Sequence, residues 1–309
     1  MAVFTYFLDA PMPAECRGGA AMIGNFDGVH RGHQTLLAET IRLAKAFRGA
    51  AIAVTFDPPP TQMLHPERFG LPLTPLDHRC RLLHEHGIDH VLILRTSTEL
   101  LQLEPEVFFE RILRDGLRAR AIVEGFNFGF GKDRRGTGAM LQALGRAAGM
   151  TVTLLPAHLE ADSAISSSRV RAALLAGNVA EARQLMGRPH RLFGVVGEGQ
   201  KRGRTLGFPT ANLAVVKNLV PGGGVYAGQV AYQGKTWAAA IHLGPNATFG
   251  EKSQGVEVHL LDFVGDLYGK ELHVDFLKKV RDTRAFGSVD ELVRQIQTDI
   301  AQVRQALKS

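Results

Sequence analysis

The chain has 309 residues, with 36 Lys and Arg against 30 Asp and Glu, and a formal charge of +6. Its 45% hydrophobic and 21% charged residues exclude disorder as the main state, and this length favours two domains over one core. The 34 glycines follow no Gly-X-Y period, which excludes a collagen-like fibre, and two cysteines, Cys16 and Cys80, exclude a disulfide scaffold or a Cys-based zinc site.

The first sixteen residues lack a basic leader region and meet Asp9 and Pro11 early, so no signal peptide is expected. No apolar run approaches membrane-spanning length, and the expectation is a cytoplasmic protein with reduced thiols. Basic residues are spread along the chain rather than gathered in a block. That distribution suits an enzyme of phosphorylated substrates as well as it suits nucleic acid.

The first half alternates short apolar runs with helical stretches. Strands are expected at Ala20–Gly24, Ala50–Phe56, His90–Leu94, Ala121–Glu124 and Thr151–Leu155. Helices are expected near His33–Phe47, Pro75–His86, Pro105–Asp115 and Ala139–Ala148. This alternation predicts an α/β, doubly wound parallel sheet, with ligands at the carboxyl ends of its strands. A helical pair, Ser167–Ala176 and Val179–Met186, is broken by Gly177-Asn178, and the domain junction is placed at Gly187.

Beyond Gly187 the pattern changes to short strands without intervening helices. These are Arg191–Val196, Gly224–Tyr232, Lys235–Leu243, Gly255–Phe263 and Glu271–Val280, and they predict an antiparallel sheet or small barrel. The capping-box pattern Ser288-x-x-Glu291 then opens a final helix. Its apolar stripe, Val289, Leu292, Val293, Ile296, Ile300, Val303 and Leu307, is expected to pack on the barrel.

Three segments of the first half carry candidate chemistry. Ile23-Gly24-Asn25-Phe26-Asp27-Gly28-Val29-His30-Arg31-Gly32-His33 joins the first strand to the first helix. A helix N-terminus suits phosphate, Gly32 permits close approach, and His30 and His33 are spaced to face one ligand. The plainer reading is two surface histidines at a helix start. Gly125-Phe126-Asn127-Phe128-Gly129-Phe130-Gly131 follows the fourth strand. Its phenylalanines offer flat surface for stacking, and Asn127 offers hydrogen bonds; the alternative is a glycine-rich turn whose phenylalanines fill core. Ile165-Ser166-Ser167-Ser168-Arg169-Val170-Arg171 offers hydroxyls at a helix start and a guanidinium one turn on, as a phosphate grip or as an ordinary serine cap.

In the second half, the segment from Gly197 to Asn212 is densest in motif character, although it is neither a Walker A loop nor a dinucleotide fingerprint. Gly203 with Lys201, Arg202 and Arg204 can cradle a polyphosphate, while Thr210 and Asn212 alternate onto one face as candidate Mg²⁺ ligands. A basic hairpin with a Pro-led edge strand is the alternative. In Val256–Phe263, Glu257 shares a face with His259 and Leu261, either as a general base or as an ordinary face residue.

Taken together, "IGNFDGVHRGH", "GFNFGFG" and "ISSSRVR" resemble the nucleotidyltransferase superfamily, and more closely the N-terminal domain of the bacterial bifunctional riboflavin kinase/FMN adenylyltransferases (FAD synthetases). "RGRTLGFPTANL", "GVYAG", "VEVHLLDF" and "RDTRAF" resemble the riboflavin kinase module of the same family, whose fold is a six-stranded antiparallel barrel with a C-terminal helix. The resemblance spans about Ala20 to Lys308. It implies an adenylyltransferase domain over 1–186 and a kinase domain over 187–309, with Mg²⁺ and ATP as cosubstrates and riboflavin, FMN and FAD as substrates and products. It also implies no nucleic acid or membrane partner, and a monomer or weak homo-oligomer.

By the same resemblance His30 and His33 stabilise the α-phosphoryl transition state. Asn25, Asp27, Gly32, Ser167, Ser168 and Arg171 hold phosphate or metal, and Asn127, Phe126 and Phe128 line the nucleotide and flavin site. Lys201, Gly203 and Arg204 cradle ATP in the kinase, Thr210 and Asn212 bind its metal, Glu257 accepts the riboflavin hydroxyl proton, and Arg281 lies beside the flavin. Two departures stand out. Pro59 replaces the histidine of the family's Thr-Phe-Glu/Asp-Pro-His-Pro, and His242-Leu243-Gly244-Pro245-Asn246-Ala247 replaces its Asn-Ile-Gly-x-x-Pro. They keep open an enzyme with one surviving activity; a non-catalytic flavin or RNA binder is the remaining rival, which the intact His30, His33, Thr210, Asn212 and Glu257 oppose.

Overall fold

The computed structural model describes residues 2–68, 70–198, 203, 206–244 and 255–307. They form two compact units: one of residues 1–70 and 75–166, the other of residues 71–74 and 167–309.

The first unit is built on strands β1 (Ala2–Tyr6), β2 (Ala20–Ile23), β3 (Ala51–Asp57), β4 (His90–Arg95), β5 (Ala121–Gly125) and β8 (Thr151–Leu155). They form a sheet in the order β1-β4-β3-β2-β5-β8, with every pair parallel. The short strands β6 (Gly129–Phe130) and β7 (Gly136–Thr137) pair as a hairpin, as do β9 (Leu159–Glu160) and β10 (Ser163–Ala164).

Alternate strand residues feed two cores. Ala20, Met22, Ala53, Val91 and Val123 face one side, with Leu37 and Leu43 of α1 (Arg31–Ala46). After α2 (Pro60–Leu64), helix α3 (Leu76–Glu85) joins that side through Leu82 and Leu83. Ala21, Ile23, Ile52, Val54 and Leu92 face the other, against Phe108, Phe109, Ile112 and Leu141. Helices α4 (Thr98–Leu101), α5 (Pro105–Phe108) and α6 (Gly138–Ala147) lie along that stretch of chain. This two-sided burial is why the strands read as unbroken apolar runs.

The expected elements are present, with shifted ends. Helix α1 begins at Arg31 rather than His33, because His30 itself caps it. The expected helix over Pro105–Asp115 is α5 followed by a π-helical turn, Phe109–Arg114. Strand β1 was not expected; it is an edge strand paired with β4, and its residues alternate between half-buried and exposed until Tyr6.

The second unit begins with α7 (Ser167–Leu175) and α8 (Val179–Met186). Its barrel comprises β11 (His190–Gly197), β12 (Ala211–Val216), β13 (Gly224–Tyr232), β14 (Lys235–Gly244), β15 (Gly255–Leu260) and β16 (Glu271–Arg281). The order β11-β12-β15-β14-β13-β16 closes on itself with antiparallel neighbours throughout. Closure leaves no free edge, which lets so small a sheet stand without flanking layers on every side. Strand β15 stops at Leu260, short of the expected Phe263; the chain turns at Asp262, which adopts a positive φ of 60°.

Helix α8 packs on β16 and β11. The closing helix α9 (Val289–Ala306) packs on β13, β14 and β16, where Val303, Ala227 and Leu261 are buried together. Ser288 caps α9 by accepting the Glu291 N–H, and Glu291 accepts the N–H of Gly287. The pattern change near Gly187 and the compact boundary at Ser167 differ because α7 and α8 read as helices of the first half but pack with the barrel.

Candidate active sites

In the first unit, β2 lies where chain order reverses: β3 and β4 lie on one side of it, β5 and β8 on the other. A parallel sheet opens a crevice there, at the carboxyl ends of the strands. Strands β2 and β5 keep register only over Ala20↔Ala121 and Ala21↔Ile122. Yet β2 stays with β3 to Ile23↔Val54, and β5 stays with β8 to Gly125↔Leu155. The sheet therefore splits between the segments that carry the first two motifs.

The turn after β2 is tightly wound. Phe26, Gly28 and Val29 have φ of 48°, 85° and 39°, and the two non-glycines among them are conformationally costly. Phe26 is buried and meets the His33 ring edge-on, centroids 5.4 Å apart. The imidazole of His30 caps α1 by accepting the His33 N–H at 3.3 Å. An accepting Nδ1 carries no proton, so neutral His30 holds its proton on Nε2, as a donor. The two rings stack at 3.6 Å with planes 17° apart. Burial, His30 and Arg79 hold the His33 pKa well below the usual histidine value. At neutral pH it is an uncharged imidazole, able to donate one hydrogen bond. A Cβ on Gly32 would lie 3.2 Å from the His30 ring and 3.3 Å from the Ile165 carbonyl, so the third motif begins beside this turn.

Asn25 is half-buried, with its Oδ1 buried and unpartnered, while its carbonyl accepts from Arg79 Nη1 at 2.6 Å. Asp27 is half-buried in the same turn. Arg79, on α3, was not among the expected residues. It is only 4% exposed, and Asp27 and Asp57 supply opposing charge. Its signal in the sequence is an arginine on the apolar side of α3, in helical register with Leu82 and Leu83. Glu124 was also missed: a single carboxyl in the apolar run of β5, 2% exposed, accepting the Ile23 N–H at 2.6 Å.

The Gly125–Gly131 loop divides its phenylalanines. Phe130 is buried, Phe128 stacks on it at 5.6 Å, and Phe126 is 59% exposed. Asn127 is exposed, and its carbonyl accepts from Arg134. The reading as stacking surface fits Phe126 and the open face of Phe128; Phe130 fills core. Pro59 precedes α2 and Pro60 occupies its first turn, a place where a missing N–H costs nothing.

Ser167, Ser168 and Arg171 open α7, which belongs to the second unit by packing. Ser167 is half-buried, Ser168 is exposed, and Arg171 donates to the Leu71 carbonyl at 2.7 Å.

In the barrel, the cross-strand register lines up several candidates. Asn212 on β12 opposes Glu257 on β15, which opposes His242 on β14. His242 opposes Val225 on β13, and Val225 opposes Arg281 on β16. Directly opposed residues share a face, so Asn212, Glu257, His242 and Arg281 lie on the outside of the barrel, where α9 packs. The intervening Tyr226, Ile241 and Val258 fill the interior at 0% exposure. His242 Nδ1 is 4.0 Å from the Glu257 carboxylate. Burial lowers the His242 pKa, Glu257 and Asp299 oppose the shift, and Arg281 adds to it.

Arg281 is committed to α9. It grips both carboxylate oxygens of buried Asp299 at 2.8–3.1 Å and lies over the Phe286 ring. Thr210, just before β12, shares the alternation of Asn212. A Cβ on Gly203 would come within 3.3 Å of its hydroxyl and 2.4 Å of the Phe208 carbonyl, so only glycine fits there. His259 donates to the Pro209 carbonyl at 2.7 Å and steadies this turn. Leu261 lies just beyond β15 and is buried against α9, on the same outer side of the barrel as Glu257. Thr210 also borders a solvent-open cavity of about 90 Å³, lined by Pro209, Leu260, Phe263, Leu267 and Tyr268. Lys201 and Arg204, like Arg202 and the segment 245–254, lie outside the described residues. Among the described residues, no group of three or more His, Cys, Asp or Glu gathers as a metal centre.

Family models for FAD synthetase and riboflavin kinase match residues 12–169 and 186–307. The bifunctional riboflavin kinase/FMN adenylyltransferase of Pseudomonas fluorescens is 39% identical over 292 residues, 94% of this chain and 93% of its own. That of Escherichia coli K12 is 36% identical over 283 residues, 91% of this chain and 90% of its own. A crystal structure described as a macrolide-efflux protein from Streptococcus pneumoniae matches with a TM-score of 0.87 at 32% identity, covering 97% of this chain and 99% of that one. Among the described residues of the present chain, no helix is long and apolar enough to cross a membrane.

Proposed function

Since the chain belongs to the bifunctional riboflavin kinase/FMN adenylyltransferase family, which makes FMN from riboflavin and FAD from FMN, we propose how its own residues divide these two reactions. The adenylyl reaction is assigned to the split between β2 and β5. A phosphate oxygen of FMN attacks the α-phosphorus of ATP, and pyrophosphate leaves. The reaction needs positioning and charge stabilisation rather than a covalent intermediate.

His30 and His33 meet that need. Both are presented at a helix start, and a neutral His30 donates from Nε2. Hydrogen-bond donors presented to a phosphoryl group stabilise charge that grows in the transition state. The helix end adds its partial positive charge. Asn25, Asp27 and Gly32 shape the turn against the phosphates. Ser167, Ser168 and Arg171 are assigned to the same substrate by motif. Phe126, Phe128 and Asn127 offer one aromatic face and one amide to the nucleotide and flavin rings.

The kinase reaction is assigned to the outer face of the barrel around Glu257. The riboflavin 5′-hydroxyl oxygen attacks the γ-phosphorus of ATP, ADP leaves, and Glu257 takes the hydroxyl proton. Gly203, Lys201 and Arg204 are assigned to the ATP phosphates, and the cavity walled by Phe263, Leu267 and Tyr268 suits a purine ring. Arg281 is assigned to the flavin side through the edge it leaves free of Asp299.

Mg²⁺ would be held by the Thr210 hydroxyl and the Asn212 amide oxygen. Two neutral donors fit a hard cation whose remaining ligands are phosphate oxygens, so the ion is expected to arrive with ATP. When bound, it neutralises phosphate charge as the reaction proceeds.

The observation that carries the reading is the alignment of Asn212, Glu257 and His242 on three adjacent strands, together with the separate His30–His33 stack in the other unit. The test is chromatography of riboflavin incubated with purified protein, ATP and Mg²⁺. FMN is expected to appear first and FAD after it. Formation of neither, or of FAD from added FMN but no FMN from riboflavin, would remove the kinase half of the proposal.

A further inference from the structure

Strands β2 and β5 part after two register pairs, and each keeps its outer neighbour beyond the split. Were the ladder regular, Ile23 would stand beside Glu124. Instead the Ile23 N–H, buried at the mouth of the split, finds its acceptor in the Glu124 carboxyl at 2.6 Å. The same carboxyl accepts from the Gly125 N–H. A buried N–H left without an acceptor is costly, so this side chain replaces the missing ladder bond.

The two anchored points are the roots of the two motifs. Ile23 runs directly into Gly24-Asn25 and on to His30, and Gly125 opens the loop that carries Phe126, Asn127 and Phe128. We propose that Glu124 is a positioning residue for adenylyl transfer, whose carboxyl sets the gap between the His30–His33 turn and the Gly125–Gly131 loop. This rests on the assignment of adenylyl transfer to the split, which the His33→Ala variant tests separately. Glu124 is 2% exposed and reaches substrate only through the backbone it holds. Burial pushes its pKa well above the usual carboxyl value, against the pull of the two N–H groups. A neutral acid in this place bridges as well as a carboxylate does, so the oxygen and its reach matter rather than the charge.

That distinction makes the test sharp. Glu124→Gln keeps an oxygen at the same reach and loses the charge. Glu124→Asp keeps the charge and draws the oxygen back by one methylene. Glu124→Met fills the volume and offers no acceptor. FAD formation from FMN and FMN formation from riboflavin are measured on each full-length variant, with kcat and KM separated.

A misplacement of about 1 Å can cost about 100-fold in rate, so kcat for FAD formation is expected to fall about 10–100-fold in the Asp and Met variants. KM for FMN is expected to change by less than about threefold in both, and the Gln variant to keep at least about one third of wild-type kcat. FMN formation is expected to stay at the wild-type rate throughout, which also reports that the protein is intact. Wild-type FAD formation in the Asp variant overturns the proposal. So does a loss in the Gln variant as large as that in the Asp variant, since charge would then matter as much as reach. Should the Met variant fail to fold, the Gln and Asp pair decides alone. If His33→Ala forms FAD normally, the underlying site assignment has failed rather than the role of Glu124 within it.

Discussion

Mild acid is expected to loosen the barrel through one histidine. His190 opens β11, is 1% exposed, and bonds through Nε2 to the Leu219 carbonyl at 2.7 Å. Burial takes its pKa down to about 4, although the bond to Leu219 pulls the other way. In the unfolded chain the same imidazole titrates near 6.5. The folded value is the lower one, so between the two values the unfolded chain binds the extra proton. Stability tied to this group is therefore complete above pH 6.5 and is lost as pH falls towards 4. Linkage gives a loss on the order of 2 kcal/mol between pH 7 and pH 5. For a unit of ordinary stability that is a large fraction. Trp237, the chain's single tryptophan, sits on β14 against Phe263, so its fluorescence reports the barrel alone. Urea unfolding followed at Trp237, at pH 7 and pH 5, is compared with His190→Gln, which retains an amide donor and cannot ionise. The wild type is expected to lose about 2 kcal/mol more than the variant across this interval. An equal loss in both proteins would refute the reasoning.

Two further predictions concern the barrel. Asp299→Ala strands the Arg281 guanidinium between β16 and α9 and is expected to cost roughly 3 kcal/mol by the same fluorescence assay, with FMN formation weakened at higher temperature. A fragment from Ser167 to Ser309 is expected to unfold at higher urea than one from Gly187, because α8 buries Val179, Ala182, Leu185 and Met186 in this unit. Equal midpoints would show that the helical pair adds nothing to the barrel.

Much of the fold is written in simple patterns. The parallel strands are legible because burial on both faces leaves them almost wholly apolar, as in Ala51–Val54 and Val91–Leu94. The closing helix is legible from Ser288 and Glu291: Ser288 accepts the Glu291 N–H as the pattern implies, and the Glu291 carboxylate reaches back to the N–H of Gly287, one residue before the cap. Strand β1 escapes because an edge strand needs only one covered face, and Val3 is half exposed. The allegiance of α7 and α8 escapes because an apolar stripe shows that a helix is buried without naming its partner.

The site was legible to a different degree. Local spacing marks His30 and His33 because cap and third helical position are neighbours in any helix. The row formed by Asn212, Glu257 and His242 depends on register between strands up to 45 residues apart, which no local pattern encodes. Glu124 and Arg79 are buried and bond to the backbone of the first motif. Each looks like a misplaced charge in an apolar stretch, and only the fold shows what it holds.

The central claim is that two independent sites in one chain perform successive steps. It is tested most directly by mixing two full-length variants, His33→Ala and Glu257→Gln, with riboflavin, ATP and Mg²⁺ and separating the flavins. Alone, His33→Ala is expected to stop at FMN, with FAD formation down about 10²–10³-fold, and Glu257→Gln to leave most riboflavin unconverted. Mixed, they are expected to make FAD, since one supplies the FMN that the other adenylylates. FAD at the wild-type rate from His33→Ala alone, or FMN at the wild-type rate from Glu257→Gln alone, would contradict the account.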